Sequence, residues 1–274
     1  MKNILDSKHL ILSGFIFKVL VGTFFASFVL TDLFMPFVSF FVADLENPYK
    51  HFLDVNTPQN FPYPALMLFI MSAPVFIAEL FVDLQSLPQQ VSFLIYRLPL
   101  LLADFGILLI LNSWVESKSQ KKLIWLYWFS PVLFYISYIH GQLDVVPIFF
   151  LFFSLNFLFK QKIFLAGLIF GFAISTKTMV LLSLPFIVLF LLSKEENIKN
   201  TFTFLLTSLA FFLLVNSPFI LDPSFQDMVF NNDDQNKIFE LSFPVGDSYF
   251  YFIPACLLLL ALRGLLINTY NRDI

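Results

Sequence analysis

Residues 92–112 read SFLIYRLPLLLADFGILLILN, an apolar run that nevertheless keeps Arg97 and Asp104. A helix needs roughly 20 predominantly apolar residues to cross a bilayer core, and this stretch has that length. Comparable runs recur at 10–30, 64–82, 123–139, 144–159, 163–176, 178–193, 199–221 and 248–268. Several are near the short limit for a span. No soluble core could hold such runs repeated along a whole chain of 274 residues. The fold class is therefore all-α: a polytopic transmembrane helical bundle forming one domain over 1–274.

Composition agrees. The chain is 58% hydrophobic and only 13% charged, about half the charge fraction of a soluble domain, and its mean hydropathy is +0.82. The basic residues sit in short loops rather than in a patch, so the net charge of -3 implies no nucleic-acid partner. Cys256 is the only cysteine, which excludes a disulfide or a cysteine-built zinc cluster within one chain. The 40 Phe residues suit a lipid-facing surface and also fit AT-rich coding. Lys2 and Lys8 precede the run Leu10–Leu30 without a small-residue cleavage site, the pattern of a retained signal-anchor helix.

Placement of Lys and Arg orients the bundle. Lys118, Lys121 and Lys122, then Lys160 and Lys162, then Lys194 and Lys199, then Arg263 and Arg272 go to the cytoplasmic side with the N-terminus. The opposite face receives a first outer loop at 31–63, the turn His140–Asp144, Lys177 and a second outer loop at 222–247. Parity then removes one crossing. Segment 64–82, with Pro62 and Pro64 at its start and Pro74 inside, reads as a re-entrant or juxtamembrane helix held against protein. The expected count is about eight spans plus that one embedded helix. Leu33–Val42, too short to span, reads as an interfacial helix of the first outer loop.

Ionisable groups at membrane depth mark function or pairing. Lys18 and Asp104 each lie about 12 Å in from the cytoplasmic ends of their runs, at equal depth and with opposite sign. They read as an interhelical ion pair, a structural lock rather than a chemical site. Arg97 lies at the outer end of its run, where its donors suit a phosphate and where a snorkelling arginine is equally at home. Asp32, in Thr31-Asp32-Leu33, has apolar neighbours. Burial there would raise its pKa towards that of a general base; a helix-end carboxylate facing water is the plainer reading. Asp44 and Glu46 offer oxygen ligands to a divalent metal, or are a solvated acidic loop.

His140-Gly141-Gln142-Leu143-Asp144 is the sharpest local motif, a polar turn between two apolar runs with Gly141 permitting a tight bend. It offers an imidazole, an amide and a carboxylate, more than a plain turn requires. Lys177, in Ser175-Thr176-Lys177-Thr178, is flanked by hydroxyls and suits a phosphate as a point charge. Asp32, His140, Gln142, Asp144, Lys177 and Arg97 all fall at one membrane face under this topology.

With those residues in place, the chain resembles the GT-C-type glycosyltransferases. It looks most like the branch holding the dolichol-dependent glucosyltransferases of lipid-linked oligosaccharide assembly and related bacterial enzymes. The matching pieces run in order: Asp32, Phe61-Pro62-Tyr63-Pro64, Arg97 with Ala103-Asp104, Ser130-Pro131, His140-Gly141-Gln142, then Gly171 through Lys177 with Pro185. They cover residues 15–190. The resemblance implies a polyprenyl-phosphate sugar as donor and a glycan, lipid or protein as acceptor. It implies inverting transfer at the non-cytoplasmic face, with Asp32 as general base. His140 and Lys177 would stabilise the leaving phosphate, and Gln142 and Asp144 would orient the sugar. It requires no metal in the favoured branch, although other branches use one, which keeps Asp44 and Glu46 open. Members of the family carry further helices, so the chain ending at Ile274 is expected to be a fragment or a minimal member. A bacterial plasma membrane is the expected location, or the endoplasmic reticulum in a eukaryote. Two other classes compete: a transporter or lipid flippase using Lys18 and Asp104, and a noncatalytic accessory subunit of a glycosylation complex.

Overall fold

The computed structural model describes residues 8–193, 197–232, 237, 240–246 and 248–270. Lys2, Lys194 and Arg272 of the orientation argument, and the end at Ile274, lie outside the described residues. Among the described residues the chain is helical apart from one hairpin.

Helix α1 (Lys8–Phe24) is followed by a break, a bend of 66° and a π-helical turn, Val29–Phe34, that leads into α2 (Met35–Asp44). This corrects the straight span expected over 10–30. The carbonyls of Gly22 and Phe25, whose helical donors are lost at the break, are taken instead by the Arg97 guanidinium. A buried arginine thus supplies what the backbone gives up. Helix α2 covers the expected interfacial segment, but its Phe37 and Val38 are wholly buried. It docks on protein along that face.

Helix α3 (Pro48–Asp54) is short and well capped: the Asn47 side chain accepts from Tyr49 N at 3.1 Å, and Pro48 holds the first helical position. Helix α4 (Ala65–Glu79) carries Pro74 in its interior and buries Met67, Leu68, Met71 and Val75 on one side. Helix α5 (Gln89–Trp114) has 26 residues, about 39 Å of helix. Helix α6 (Ser117–His140) is irregular, π-helical over Ile124–Trp128 and again over Tyr135–His140. Then come α7 (Val145–Phe159), α8 (Ile163–Thr176), α9 (Thr178–Leu192), α10 (Asn197–Asn216) and α11 (Pro223–Val229).

Among the described residues three helices are long and apolar enough to cross a membrane: α5, α6 and, over Ile198–Asn216, α10. The bent pair of α1 with Val29–Asp44 makes four if it counts as one span. This is short of the expected eight. The runs behind α4, α7, α8 and α9 fold into helices of 10–17 residues, each shorter than a bilayer core is thick.

The last apolar segment also differs from expectation. Strands β1 (Ser242–Val245) and β2 (Ser248–Tyr251) pair antiparallel, with Phe243 opposite Phe250. The final helix, α12 (Phe252–Tyr270), therefore begins at Phe252. Ser248–Tyr251 carries three successive aromatic residues, a residue type that favours a pleated strand.

Two packing features set the site. Gly167 and Gly171, one turn apart on α8, let α10 approach: a Cβ at Gly171 would sit 2.7 Å from the Ser208 carbonyl oxygen. Ser208 Oγ donates to the Gly167 carbonyl at 3.0 Å across the same contact. Small residues at such spacing are how helices pack closely where apolar burial alone does not select partners. The two long loops also join. Asp222 caps α11 through Ser224 N at 2.8 Å, and Asn47 Nδ2 donates to Asp222 at 2.9 Å, so two helix caps bond each other. Beneath them Phe37, Tyr49, Phe61, Phe219 and Phe225 form an aromatic core.

Candidate functional site

A cavity of about 620 Å³ opens where four chain segments meet. The π-helical turn after α1 contributes Val29, Leu33 and Phe34; the loop before α4 contributes Gln59, Pro62 and Tyr63. The start of α7 contributes Gln142, Asp144 and Pro147, and the α8–α9 connection contributes Lys177, Met179 and Ser183. The walls are mostly apolar, and four of the polar lining residues, Tyr63, Gln142, Asp144 and Lys177, are linked to one another.

Each polar group has a local cause. Gly141 takes φ +88°, the left-handed conformation that ends α6 and turns the chain towards α7. That turn delivers Gln142 and Asp144. Asp144 stands at the N-terminus of α7, where a carboxylate is favoured by the exposed amide dipoles. Lys177 comes directly after the last residue of α8, in extended backbone. Its ammonium forms an ion pair with Asp144, and it lies 5.7 Å from the Tyr63 ring centroid. Tyr63 OH donates to Gln142 Oε1 at 3.4 Å. Burial pushes the Tyr63 phenol up, and the Asp144 charge adds to the shift. Tyr63 therefore stays a neutral hydrogen-bond donor.

Asn216, wholly buried at the end of α10, ties the cavity walls together. Its Nδ2 donates to Ser175 Oγ at 3.1 Å and its Oδ1 accepts from Ala65 N at 2.9 Å. Ser175 is two residues before Lys177, and Ala65 is two after Tyr63. The amide thus caps α4 and anchors α8 at the two points from which the cavity's phenol and cation project.

Of the expected site residues, the structure brings Gln142, Asp144 and Lys177 into one cavity. Asp32 and His140 do not line it. Asp32 is exposed, as the plainer of its two readings has it, a carboxylate facing away from the protein interior. Val29, Leu33 and Phe34 of the same π-helical turn line the cavity, while Asp32 does not. Among the described residues Asp32 has neither a hydrogen-bond nor an ion-pair partner. His140 is exposed at the end of α6, and its carbonyl accepts from Ser27 Oγ at 2.6 Å.

Arg97 is only 2% exposed. Its donors go to the carbonyls of Gly22, Phe25 and Tyr138 rather than into the cavity. Neither the phosphate nor the snorkelling expectation describes this placement. Asp44 and Glu46 are exposed at the end of α2, and among the described residues no three His, Cys, Asp or Glu side chains group as metal ligands.

Lys18 and Asp104 lie away from the cavity, with Nζ and Oδ2 2.7 Å apart and both side chains buried. Asp104 also accepts from Tyr127 OH at 2.8 Å and Tyr138 OH at 2.7 Å. The ammonium lies 3.5 Å over the Trp128 ring. One carboxylate thus gathers α1, α5 and α6. Sequence reasoning missed Tyr127 and Tyr138, whose hydroxyls are ordinary aromatic-belt features until the fold aims them inward.

The arrangement can hold a molecule with an anionic, hydroxyl-bearing head and a hydrocarbon body. Lys177 faces the charge, Gln142 and Tyr63 face hydroxyls, and the apolar walls take the rest. Residues 73–267 match glycosyltransferase family 87, and the chain belongs to that GT-C-like family of membrane glycosyltransferases. The matched span includes Arg97, His140, Gln142, Asp144 and Lys177, and begins after Asp32 and Tyr63. No curated protein and no solved structure gives a match.

Proposed function

We propose that the chain transfers a hexose from a polyprenyl-phosphate donor to an acceptor hydroxyl at the non-cytoplasmic membrane face, inverting C1. The cavity carries this reading: a linked cation, amide and phenol among apolar walls suit a phosphate-linked sugar on a prenyl chain. Membership of a glycosyltransferase family favours it over the transporter reading. The acceptor is a glycan, lipid or protein, and the setting is a bacterial plasma membrane. The eight-crossing arrangement, with α4 lying against the bundle, and the outward placement of the cavity belong to the same proposal and rest on the Lys and Arg bias.

In the proposed step the acceptor oxygen attacks the sugar C1 and loses its proton to Asp32. The bond from C1 to the phosphate oxygen breaks, and polyprenyl phosphate leaves with the electron pair. Lys177 meets the developing phosphate charge, helped by His140 from the turn that carries Gln142 and Asp144. Asp144 holds Lys177 in place between turnovers. Asp32 suits the base better than Asp144, because Asp144 is already held in the ion pair with Lys177.

Membranes carrying the chain are to be supplied with radiolabelled polyprenyl-phosphate mannose or glucose and assayed for sugar transfer. Asp32→Asn is expected to lower transfer by on the order of 10²–10⁴-fold, the usual worth of a general base. Lys177→Gln is expected to weaken donor binding about tenfold. Transfer persisting unchanged in Asp32→Asn would show that another group takes the proton.

A further inference from the structure

The three carbonyls that Arg97 binds share one property: each stands at a helix end. Gly22 and Phe25 close α1, and Tyr138 lies in the last turn of α6. Nη1 serves the first two, and Nη2 donates to the Tyr138 oxygen at 3.1 Å. Carbonyls at a helix C-terminus lack intrahelical donors and carry the negative end of the helix dipole. One planar guanidinium therefore closes two helix ends at once. An ammonium is a single point charge and does not reproduce that fork.

Both helix ends lead directly into turns at the cavity. After α1 the chain enters the π-helical turn that carries Asp32; after α6 it enters the turn that carries Gln142 and Asp144. A second stitch joins the same two places. Ser27 Oγ donates to the His140 carbonyl at 2.6 Å, and a Cβ at Gly141 would lie 2.7 Å from that Oγ. Tyr138, whose carbonyl Arg97 binds, is itself held through its hydroxyl by Asp104. Two helix ends that could drift apart are thus locked from three sides.

We propose that Arg97 is a positioning residue for glycosyl transfer, fixing the Asp32 turn against the Gln142–Asp144 turn, and so the base against the donor site. The proposal rests on the reading of Asp32 as base. Arg97 touches neither donor nor acceptor, and acts through the two turns it joins.

The test uses the full chain in lipid nanodiscs, with radiolabelled polyprenyl-phosphate mannose and glucose as donor probes and membrane lipid extract as acceptor source. Arg97→Lys is expected to lower kcat by on the order of 10²-fold, the effect of an ångström-scale misplacement, with donor KM kept within about twofold. Ser27→Ala removes only the second stitch and is expected to show a smaller loss of the same kind. A donor KM raised about tenfold with kcat intact would instead make Arg97 a phosphate ligand. A full kcat per folded molecule in Arg97→Lys would overturn the proposal. If Arg97→Lys does not fold, Arg97→Gln, which keeps a planar pair of donors on a shorter side chain, takes its place, and a full kcat per folded molecule there overturns the proposal. Failure of the base reading is separate and shows as transfer surviving in Asp32→Asn. Loss in Asp32→Asn with full activity in Arg97→Lys sinks the positioning role alone.

Discussion

Single side chains here carry unequal burdens. Asn216 satisfies a helix N-terminus and a buried hydroxyl at once, so its loss leaves two buried polar groups without partners, each costing about 1–3 kcal/mol. Asn216→Ala is expected to lower the thermal midpoint in detergent clearly, whereas Asn231→Ala, at an exposed side-chain bond to Asp227, is expected to leave it nearly unchanged. Thermal unfolding followed by circular dichroism measures both. At this scale the sequence was only partly legible. The motif His140–Asp144 and Lys177 stood out because polar groups between apolar runs are rare. Asn216 sits at the end of such a run like any interfacial asparagine, and Arg97 carries no mark in sequence that its donors turn inward.

Among the elements, α8 and α10 form the close pair that places Lys177. Their approach depends on Gly167 and Gly171. Overpacking such a contact costs typically about 1–3 kcal/mol and shifts the backbone. Gly171→Leu is expected to destabilise the fold by about that much and to weaken donor binding by moving Lys177, with little effect on a readout confined to the α3–α11 layer. Donor KM and thermal midpoint together check this. Helices α5 and α8 were plain in the sequence as apolar runs. The break after α1 was not, because no proline or glycine pair marks it; it depends on Arg97, which lies 75 positions from Gly22 along the chain.

The whole molecule joins an apolar bundle to a layer of loops whose aromatic residues are continuous with the core of α4 and α5. In the proposed orientation the His140–Asp144 turn and the 31–63 loop face outward while Lys118 and Lys160 face the cytoplasm. In a Cys256→Ser background, single cysteines at exposed His140 and exposed Glu46 are expected to react with an impermeant maleimide added outside intact cells. Single cysteines at Lys118 and Lys160 are expected to react only after permeabilisation. Labelling of all four from one side would reject the arrangement.

Hydropathy alone determined that this protein is a helical membrane protein, since water cannot solvate so many long apolar runs and only paired backbone survives in lipid. The order of its polar pieces resembles that of the GT-C-type glycosyltransferases, and that resemblance implied glycosyl transfer. The tertiary structure decided which of those pieces share a cavity. It put Lys177, Asp144 and Gln142 together, left Asp32 exposed outside the cavity lining, and turned Arg97 from a ligand candidate into a brace across two helix ends. Those outcomes depend on helix breaks and close helix approaches. Both are set by contacts between residues far apart in the chain, which local sequence pattern does not record.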